Sequence, residues 1–235
     1  MLTSQELPTT EWQLQILGGF RLSCGNQIVA ISLSGQRLLA LLAVCGPSPR
    51  YKVAGLLWPE VPERRALACL RTTVWRLRRL QLELTARPHP ELTLPGDLAV
   101  DADNPASVVA CWRNGSRHSA ELLPGWYDDW ILIERERVRQ LLFRAGEQAA
   151  EDDLARGDPA GALGLAMAVV SIDPLRESAH RLVLRAHLAQ GNRGEARRHI
   201  AAVHARMIAE LGVPPSAAIR DLAGPEIAAE VPPGP

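Results

Sequence analysis

Residues 64–82 read RRALACLRTTVWRLRRLQL, a run that holds six arginines and no acidic residue. Glu63 and Glu83 bracket it, so no carboxylate inside the run offsets the positive charge. Its apolar residues recur three or four positions apart, at Leu67, Leu70, Val74 and Leu77. This spacing is typical of an amphipathic α-helix whose apolar stripe packs on a core.

The side of this helix opposite the apolar stripe carries the arginines. At about 100° per residue, it centres on Arg65, Thr72, Arg76 and Arg79, with Trp75, Arg64, Arg71 and Arg78 on its flanks. For Trp75 we favour packing on the core. An arginine face without acids suits a DNA groove, because phosphates attract the charge and base edges accept the forked donors. The alternative is an ordinary solvated helix face.

The composition indicates a globular protein of one or two domains. The chain has 235 residues, of which 47% are hydrophobic and 22% charged, as is usual for folded domains. No stretch reaches the roughly 18 apolar residues of a membrane helix, and no signal segment opens the chain. We therefore expect a cytoplasmic protein with no membrane partner.

A net charge of zero conceals an asymmetry between the two halves. Residues 1–100 carry 11 Lys and Arg against 7 Asp and Glu, a net charge of +4. Residues 101–235 carry 15 against 19, a net charge of −4. This asymmetry predicts a basic binding half and an acidic half with a different task.

The order of elements in residues 12–100 predicts a winged helix. Alternating Trp12, Leu14 and Ile16 begin a small antiparallel sheet over residues 12–33. A helix capped by Ser34, a second over residues 52–58 and the arginine helix, which starts at Pro62 or Glu63, follow. A hairpin around Pro95-Gly96-Asp97 closes the domain. The third helix of such a domain enters the major groove of DNA.

Residues 101–225 read as an all-α domain of tetratricopeptide type. The strings LARGDPAGAL (154–163) and LAQGNRGEAR (188–197) are offset by 34 positions, which is the length of that repeat. Gly157 and Gly191 fall at the turn between paired helices, and residues 102–153 supply further packing helices. We expect residues 1–11 to be flexible and residues 226–235 to be a disordered tail. Because the second domain is all-α, we expect the chain to be mostly α overall.

A winged helix followed by tetratricopeptide helices resembles the actinobacterial SARP regulators (Streptomyces antibiotic regulatory proteins). These join an OmpR-type DNA-binding domain to a bacterial transcriptional activation domain (BTAD). The resemblance covers about residues 12–222. The strings that carry it are LGGF at residues 17–20, GLLWP at 55–59, LRTTVWRLRR at 70–79, ELLPGWYDDW at 121–130 and DPLRESAH at 173–180.

The resemblance implies a transcription activator that binds direct repeats in a promoter as a head-to-tail homodimer and recruits the RNA polymerase holoenzyme. Members commonly switch on secondary-metabolite gene clusters, including those for antibiotics. The family often carries basic residues around the wing, yet residues 80–100 contain only Arg87. The competing hypothesis is therefore a tetratricopeptide interaction adaptor whose winged helix has lost DNA affinity.

The candidate DNA-binding residues lie mainly on the third helix. Arg37, Arg50 and Lys52 lie near the starts of the first two helices, where backbone amides and positive charge suit a phosphate, although simple solvent exposure is equally expected. The full predicted set is Arg65, Arg71, Thr72, Arg76, Arg78, Arg79, Arg37, Arg50 and Lys52.

Two further groups of residues have predicted roles. By the resemblance, the proline-rich connector that holds Trp58, Glu60 and Glu63 corresponds to the loop that faces polymerase, with a plain spacer as the alternative. We expect the aromatic residues Trp126, Tyr127 and Trp130 to be core anchors.

Nothing in the sequence assembles a catalytic or metal site. The four cysteines, Cys24, Cys45, Cys69 and Cys111, form no C-x-x-C pair, and we expect most to be buried free thiols. His199 and His204 are poorly spaced for a shared metal, and Gly-rich phosphate loops and nucleophile motifs are missing. We therefore expect no enzymatic activity, no cofactor and no metal.

Overall fold

The computed structural model of the chain describes residues 11–84, 91–115 and 121–228, with side chains through residue 222 in the last range. These residues form two compact units. Unit 1 contains the described residues up to Asn104 together with those from 121 to Arg139, and unit 2 contains the remainder. The predicted flexible segment 1–11 and disordered tail 226–235 lie largely outside the described residues.

Unit 1 is built on a four-stranded sheet, whose strands are β1 (Trp12–Gln15), β2 (Arg21–Cys24), β3 (Gln27–Ile28) and β6 (Ala99–Val100). Their order in the sheet is β3-β2-β1-β6. The first three are antiparallel neighbours, as the alternating pattern predicts, and β6 lies parallel to β1 with Ala99 opposite Gln13. Leu14 and Leu22 pair across β1 and β2 and are buried, which places the unit's core on their side of the sheet.

Three helices follow the sheet: α1 (Leu33–Cys45), α2 (Arg50–Leu57) and α3 (Glu63–Arg78). The N-cap of α1 is Ser32 and not the predicted Ser34, because the Ser32 hydroxyl is the one that accepts the Gly35 N–H. α3 begins where the sequence predicts and contacts both α1 and α2. This packing fixes which side of the arginine helix faces outward.

The predicted hairpin around residues 95–97 is wrong. β5 (Glu91–Leu92) pairs with β4 (Ser48–Pro49), whereas β6 joins the larger sheet. The backbone hydrogen bond from Thr93 N–H to the Leu84 carbonyl, 2.9 Å long, joins residues on either side of positions 85–90. Those positions, which include Arg87 of the predicted wing, lie outside the described residues.

Residues 121–139 belong to unit 1, so the predicted domain boundary after Val100 differs from the structure. Gly18 N–H donates to the Glu121 carbonyl at 2.8 Å, and Leu123 N–H donates to the Ile16 carbonyl at 2.9 Å. The segment thus extends the backbone pairing at the end of β1. Pairing between positions so far apart in the chain leaves no periodic signal in the sequence.

Arg135 holds this returning segment in place. Its guanidinium donates to the carbonyls of Leu122, Leu123 and Trp126 at 2.9–3.0 Å. Leu123 is fully buried and adopts a φ of +45°, a left-handed conformation that is costly for a residue with a branched side chain. The three charge-assisted hydrogen bonds offset that cost.

The described part of unit 2 consists of helices, as the all-α prediction for residues 101–225 expects. They are α4 (Pro105–Arg113), the second part of α5 (Asp129–Ala155), α6 (Pro159–Ile172), α7 (Glu177–Ala189), α8 (Arg193–Leu211) and α9 (Ala217–Ala228). Gly157 and Gly191, with φ of +79° and +75°, form the tight turns after α5 and α7, as the 34-residue offset predicts. α9 extends three residues into the predicted tail, and no helix in the described part could cross a membrane.

The predicted fold class, an α+β unit followed by an all-α unit and mostly α overall, is confirmed. Among the aromatic residues predicted as anchors, Trp130 is buried and Trp126 stacks on Phe20 with ring centroids 6.1 Å apart. Tyr127 is 79% exposed, so its assignment to the core is wrong. The four cysteines are free; Cys69 is exposed on α3 and the other three are half-buried, so the expectation that most are buried is wrong.

His199 pairs with a histidine of the neighbouring helix. Its Nε2 lies 3.0 Å from Nδ1 of His180, whose own Nε2 donates to the Pro174 carbonyl at 2.9 Å. Burial, aided by the charges of His180 and His187, lowers the pKa of His199 to about 4. The pair is therefore neutral near pH 7 and links α7 to α8 as a structural contact.

Candidate nucleic-acid interface

The side of α3 that packs on the core is shifted from the predicted stripe. Its buried residues are Ala66, Leu70, Thr73 and Leu77, whereas Leu67 and Val74 are only half-buried. At about 100° per residue, the buried side is turned by about 50° from the expected one. Thr73 fits the core because its hydroxyl donates to the Cys69 carbonyl, 2.9 Å away, and so leaves no unpaired polar group.

The shift changes which residues lie at the centre of the exposed face. Nine exposed residues form this face. Its centre consists of Arg64, Ala68, Arg71, Thr72, Trp75 and Arg79, and its edges consist of Arg65, Arg76 and Arg78. We call these nine residues the arginine face. The predicted residues of this region are therefore brought together on one surface of α3, with Arg79 as its C-cap residue.

Most cations of the arginine face have no ion-pair partner among the described residues. Among the residues that the structure describes, Arg64, Arg65, Arg71 and Arg76 form no ion pair. Arg78 lies 3.6 Å from Glu83, in a pair whose two side chains are both more than half exposed, and such a pair contributes little to stability. The face therefore presents positive charge that is free to bind an external anion.

Trp75 is a residue that sequence reasoning placed wrongly. The indole is 56% exposed instead of packed on the core, and the Arg79 guanidinium lies 5.1 Å above its ring centre. This distance is that of a cation–π contact. The sequence contained an alternative apolar stripe with the same helical spacing, formed by Ala66, Leu70, Thr73 and Leu77. If this stripe is taken as the buried side, Trp75 faces outward.

Arg37 does not join the arginine face. It forms an ion pair with Asp128, and their side chains are only 23% and 22% exposed. The pair ties α1 to the returning segment of unit 1, and Arg37 therefore lies apart from the arginine face.

Arg50 and Lys52 lie in the first turn of α2. Lys52 is exposed and Arg50 is half-buried. The N-cap residue Pro49 provides no side-chain hydrogen bond to the first amides of the helix. Uncapped amides beside two cations retain the predicted capacity to bind a phosphate.

The connector between α2 and α3 is a turn in which Val61 N–H donates to the Trp58 carbonyl at 3.1 Å. Glu60 and Glu63 are exposed, and Trp58 is half-buried. Both carboxylates are accessible to another molecule, but the polymerase-facing role stays a prediction.

Comparison with known proteins places the chain among known families. The family model "Bacterial transcriptional activator domain" matches residues 91–225. The regulatory protein AfsR of Streptomyces griseus is 28% identical over 236 residues, which cover 88% of this chain and 24% of that protein. The chain thus spans about a quarter of the length of that relative.

A solved structure, Mycobacterium tuberculosis EmbR in complex with a low affinity phosphopeptide, has a similar fold. Its TM-score is 0.70 at 18% identity, and the match covers 95% of this chain and 66% of that one. The family is one of transcription regulators and not of enzymes. Because the family model covers more than half of the sequence, including all of α4 to α8, the chain belongs to the bacterial transcriptional activator domain family and is a SARP-type regulator.

Proposed function

We propose that this protein activates transcription by binding promoter DNA through the arginine face of α3. The observation that carries the proposal is that four exposed arginines of one helix, Arg64, Arg65, Arg71 and Arg76, lack an ion-pair partner in the described structure. An unpaired guanidinium is a strong ligand for phosphate and for the O6 and N7 atoms of guanine. The cytoplasm, where promoters are accessible, is the expected location.

In the proposed complex α3 lies in the major groove. Arg71, Thr72, Arg76 and Arg79 contact base edges, whereas Arg65 and Arg78 bind the flanking phosphates. Arg50 and Lys52 at the start of α2 bind a further phosphate with the free amides of that turn. Arg37 has no place in this interface, because its ion pair with Asp128 occupies it.

The proposal extends to the assembly on the promoter. Two copies bind direct repeats head to tail, and Glu60 and Glu63 of the connector, with Trp58, contact the RNA polymerase holoenzyme. The target is a secondary-metabolite gene cluster. Family membership and the exposure of the two carboxylates support this part of the proposal.

The salt dependence of binding to promoter DNA tests the first part. The logarithm of the association constant should fall linearly with the logarithm of salt concentration, by about 0.9 for each phosphate neutralised. Fluorescence anisotropy on the DNA upstream of the protein's own gene measures this slope. A flat slope, or no binding at low salt, would contradict DNA binding and favour the interaction adaptor.

Transcription assays with purified polymerase holoenzyme test the second part. The double variant Glu60→Ala/Glu63→Ala should bind the promoter with wild-type affinity but lose activation, since both side chains lie outside the arginine face. Footprinting of the same promoter should show two protected half-sites in the same orientation. Full activation by the double variant would remove the connector from the proposal and leave DNA binding intact.

A further inference from the structure

The exposed indole of Trp75 lies where a polar side chain would be expected. It is 56% exposed, and by helical geometry it projects from the middle of the arginine face, between Arg71 and Arg79 one turn away on either side. Single apolar residues are common on protein surfaces. A large aromatic ring in the centre of a cationic helix face is different, because most of its surface is apolar and gains little from contact with a phosphate.

Arg79 limits the orientation of the Trp75 ring, and its own N–H donors stay available for another ligand. Its guanidinium lies over the indole face at 5.1 Å, and a stacked guanidinium keeps its N–H donors free at the edge of its plane. Stacking also lowers the rotamer freedom of both side chains before any ligand binds. The ring is therefore presented to an incoming surface in a restricted orientation, with cations on both sides.

Base edges in the major groove offer a match for this arrangement. They present hydrogen-bond donors and acceptors and one apolar group, the C5-methyl of thymine. The indole of Trp75, held between Arg71 and Arg79, has a single N–H donor and otherwise a large apolar surface. Its complementary contact in the groove is therefore that methyl group.

We propose that Trp75 is a specificity-determining residue that contacts the C5-methyl of thymine in the DNA site. This inference rests on the proposed DNA binding by α3 and adds the type of base that one side chain selects. The arginines supply affinity that depends on salt, whereas Trp75 supplies a preference that does not.

The test uses a DNA site that the full-length protein itself selects from a random duplex library. Each thymine of the enriched site is then replaced by uracil, which removes only the methyl group. At one or two positions the wild-type affinity should fall about fourfold, the factor expected when one methyl-sized apolar group loses its burial. The variant Trp75→Ala should bind the thymine and uracil duplexes equally at those positions.

Tyr127→Ala is the matched control, since Tyr127 is another exposed aromatic of unit 1 and lies outside α3. It should keep the wild-type preference for thymine over uracil. Circular dichroism should show the same helical content for all three proteins, because both substituted side chains are exposed.

Three outcomes would overturn the inference. They are an enriched site without thymine, a wild-type protein that does not distinguish uracil from thymine, and a Trp75→Ala variant that keeps the full preference. In the last case another residue reads the methyl group, and Trp75 would serve a protein partner. If the library yields no enriched site and no salt-dependent binding, the proposed function itself fails, which is a different result from selective loss of the thymine preference.

Discussion

Arginines behave differently on α3 of unit 1 and in unit 2. In unit 2, Arg113 and Arg156 share the buried carboxylate of Asp153, and Arg176 binds Glu147 through two nitrogens. The run 64–82, most of which forms α3, contains no acid, and within the described part of the chain most of its arginines form no ion pair. The difference shows that the distribution of acids, and not the number of arginines, decides whether a guanidinium stabilises the fold or remains available for an external ligand.

The Arg176 cluster represents the stabilising extreme. The Arg176 and Glu147 side chains are 19% and 15% exposed. The guanidinium also donates to Gln140 at 3.2 Å and lies 4.8 Å above the ring of Phe143. Such a cluster is satisfied internally, and removal of one member leaves a largely buried charge without compensation.

The largest expected effect is the loss of stability in Arg176→Ala. We expect the free energy of unfolding to fall by about 3 kcal/mol, because Glu147 loses both charge-assisted hydrogen bonds in a mostly buried site. Thermal or urea denaturation followed by circular dichroism measures the change. A midpoint equal to wild type would show that this pair is no more stabilising than an exposed one.

The second prediction concerns function and not stability. The double variant Arg76→Ala/Arg79→Ala should bind promoter DNA about 100-fold more weakly, since each lost arginine contact costs about 1–3 kcal/mol. Anisotropy titrations at fixed salt measure the affinity. The unfolding midpoint should stay at the wild-type value, because both side chains are exposed.

This double variant can break the comparison directly. A loss of stability as large as that of Arg176→Ala would mean that the arginine face supports the fold. Unchanged promoter affinity would mean that α3 does not read DNA through these two residues.

A smaller effect should appear in the pH dependence of unit 2. Burial raises the pKa of Glu147, but hydrogen bonds from Arg176 and Ser178 and the charges of Arg176 and Arg181 outweigh it and hold the pKa below its ordinary value of 4.5. A carboxylate with a lowered pKa stabilises the fold above its unfolded pKa, and the stabilisation disappears as pH falls through the folded pKa.

Comparison with Glu147→Gln isolates this contribution from the titration of other carboxylates. Wild type should be more stable than the variant near neutral pH, and its advantage should shrink progressively below pH 4.5. Melting curves of both proteins across the acid range provide the measurement. A constant difference between them would show that the Glu147 charge does not stabilise unit 2.

The smallest expected effect belongs to Arg198→Ala. Arg198 pairs with Glu195 three residues earlier on α8, and both side chains are largely exposed. Exposed pairs of this kind contribute little to stability, and the residue lies far from α3 in sequence. The variant should match wild type both in its unfolding midpoint and in its promoter affinity. A change in either would show that an exposed, paired arginine also contributes to stability or to DNA binding.

Local patterns predicted the elements of the fold well. The start of α3 and the turns at Gly157 and Gly191 follow from spacing and from backbone requirements that a few neighbouring residues satisfy. The identity of the outward face of α3 did not follow. Ala66 and Thr73 pack on the core although they are less hydrophobic than Leu67 and Val74, because close contact with α1 and α2 favours small side chains.

Contacts between distant parts of the chain were beyond the reach of sequence patterns. The partner of Arg37 is Asp128 and the partner of Ile16 is Leu123, and no periodicity connects such positions. The closing hairpin was misplaced for the same reason, since β5 and β6 each pair with a strand that lies much earlier in the chain. Among the candidate site residues, those on α3 depended on local spacing, whereas Arg37 depended on a long-range partner.

The return of residues 121–139 to unit 1 has a consequence for how such regulators can be dissected or recombined. A fragment that stops after Asn104 lacks the backbone partners of Ile16 and Gly18, the Trp126 ring that covers Phe20, and the acid that pairs with Arg37. Any chimera that transplants unit 1 into a relative must carry residues through Arg139 with it. The boundary of unit 1 is thus set by the contacts of residues 121–139 and not by the point where the strand pattern of the sequence ends.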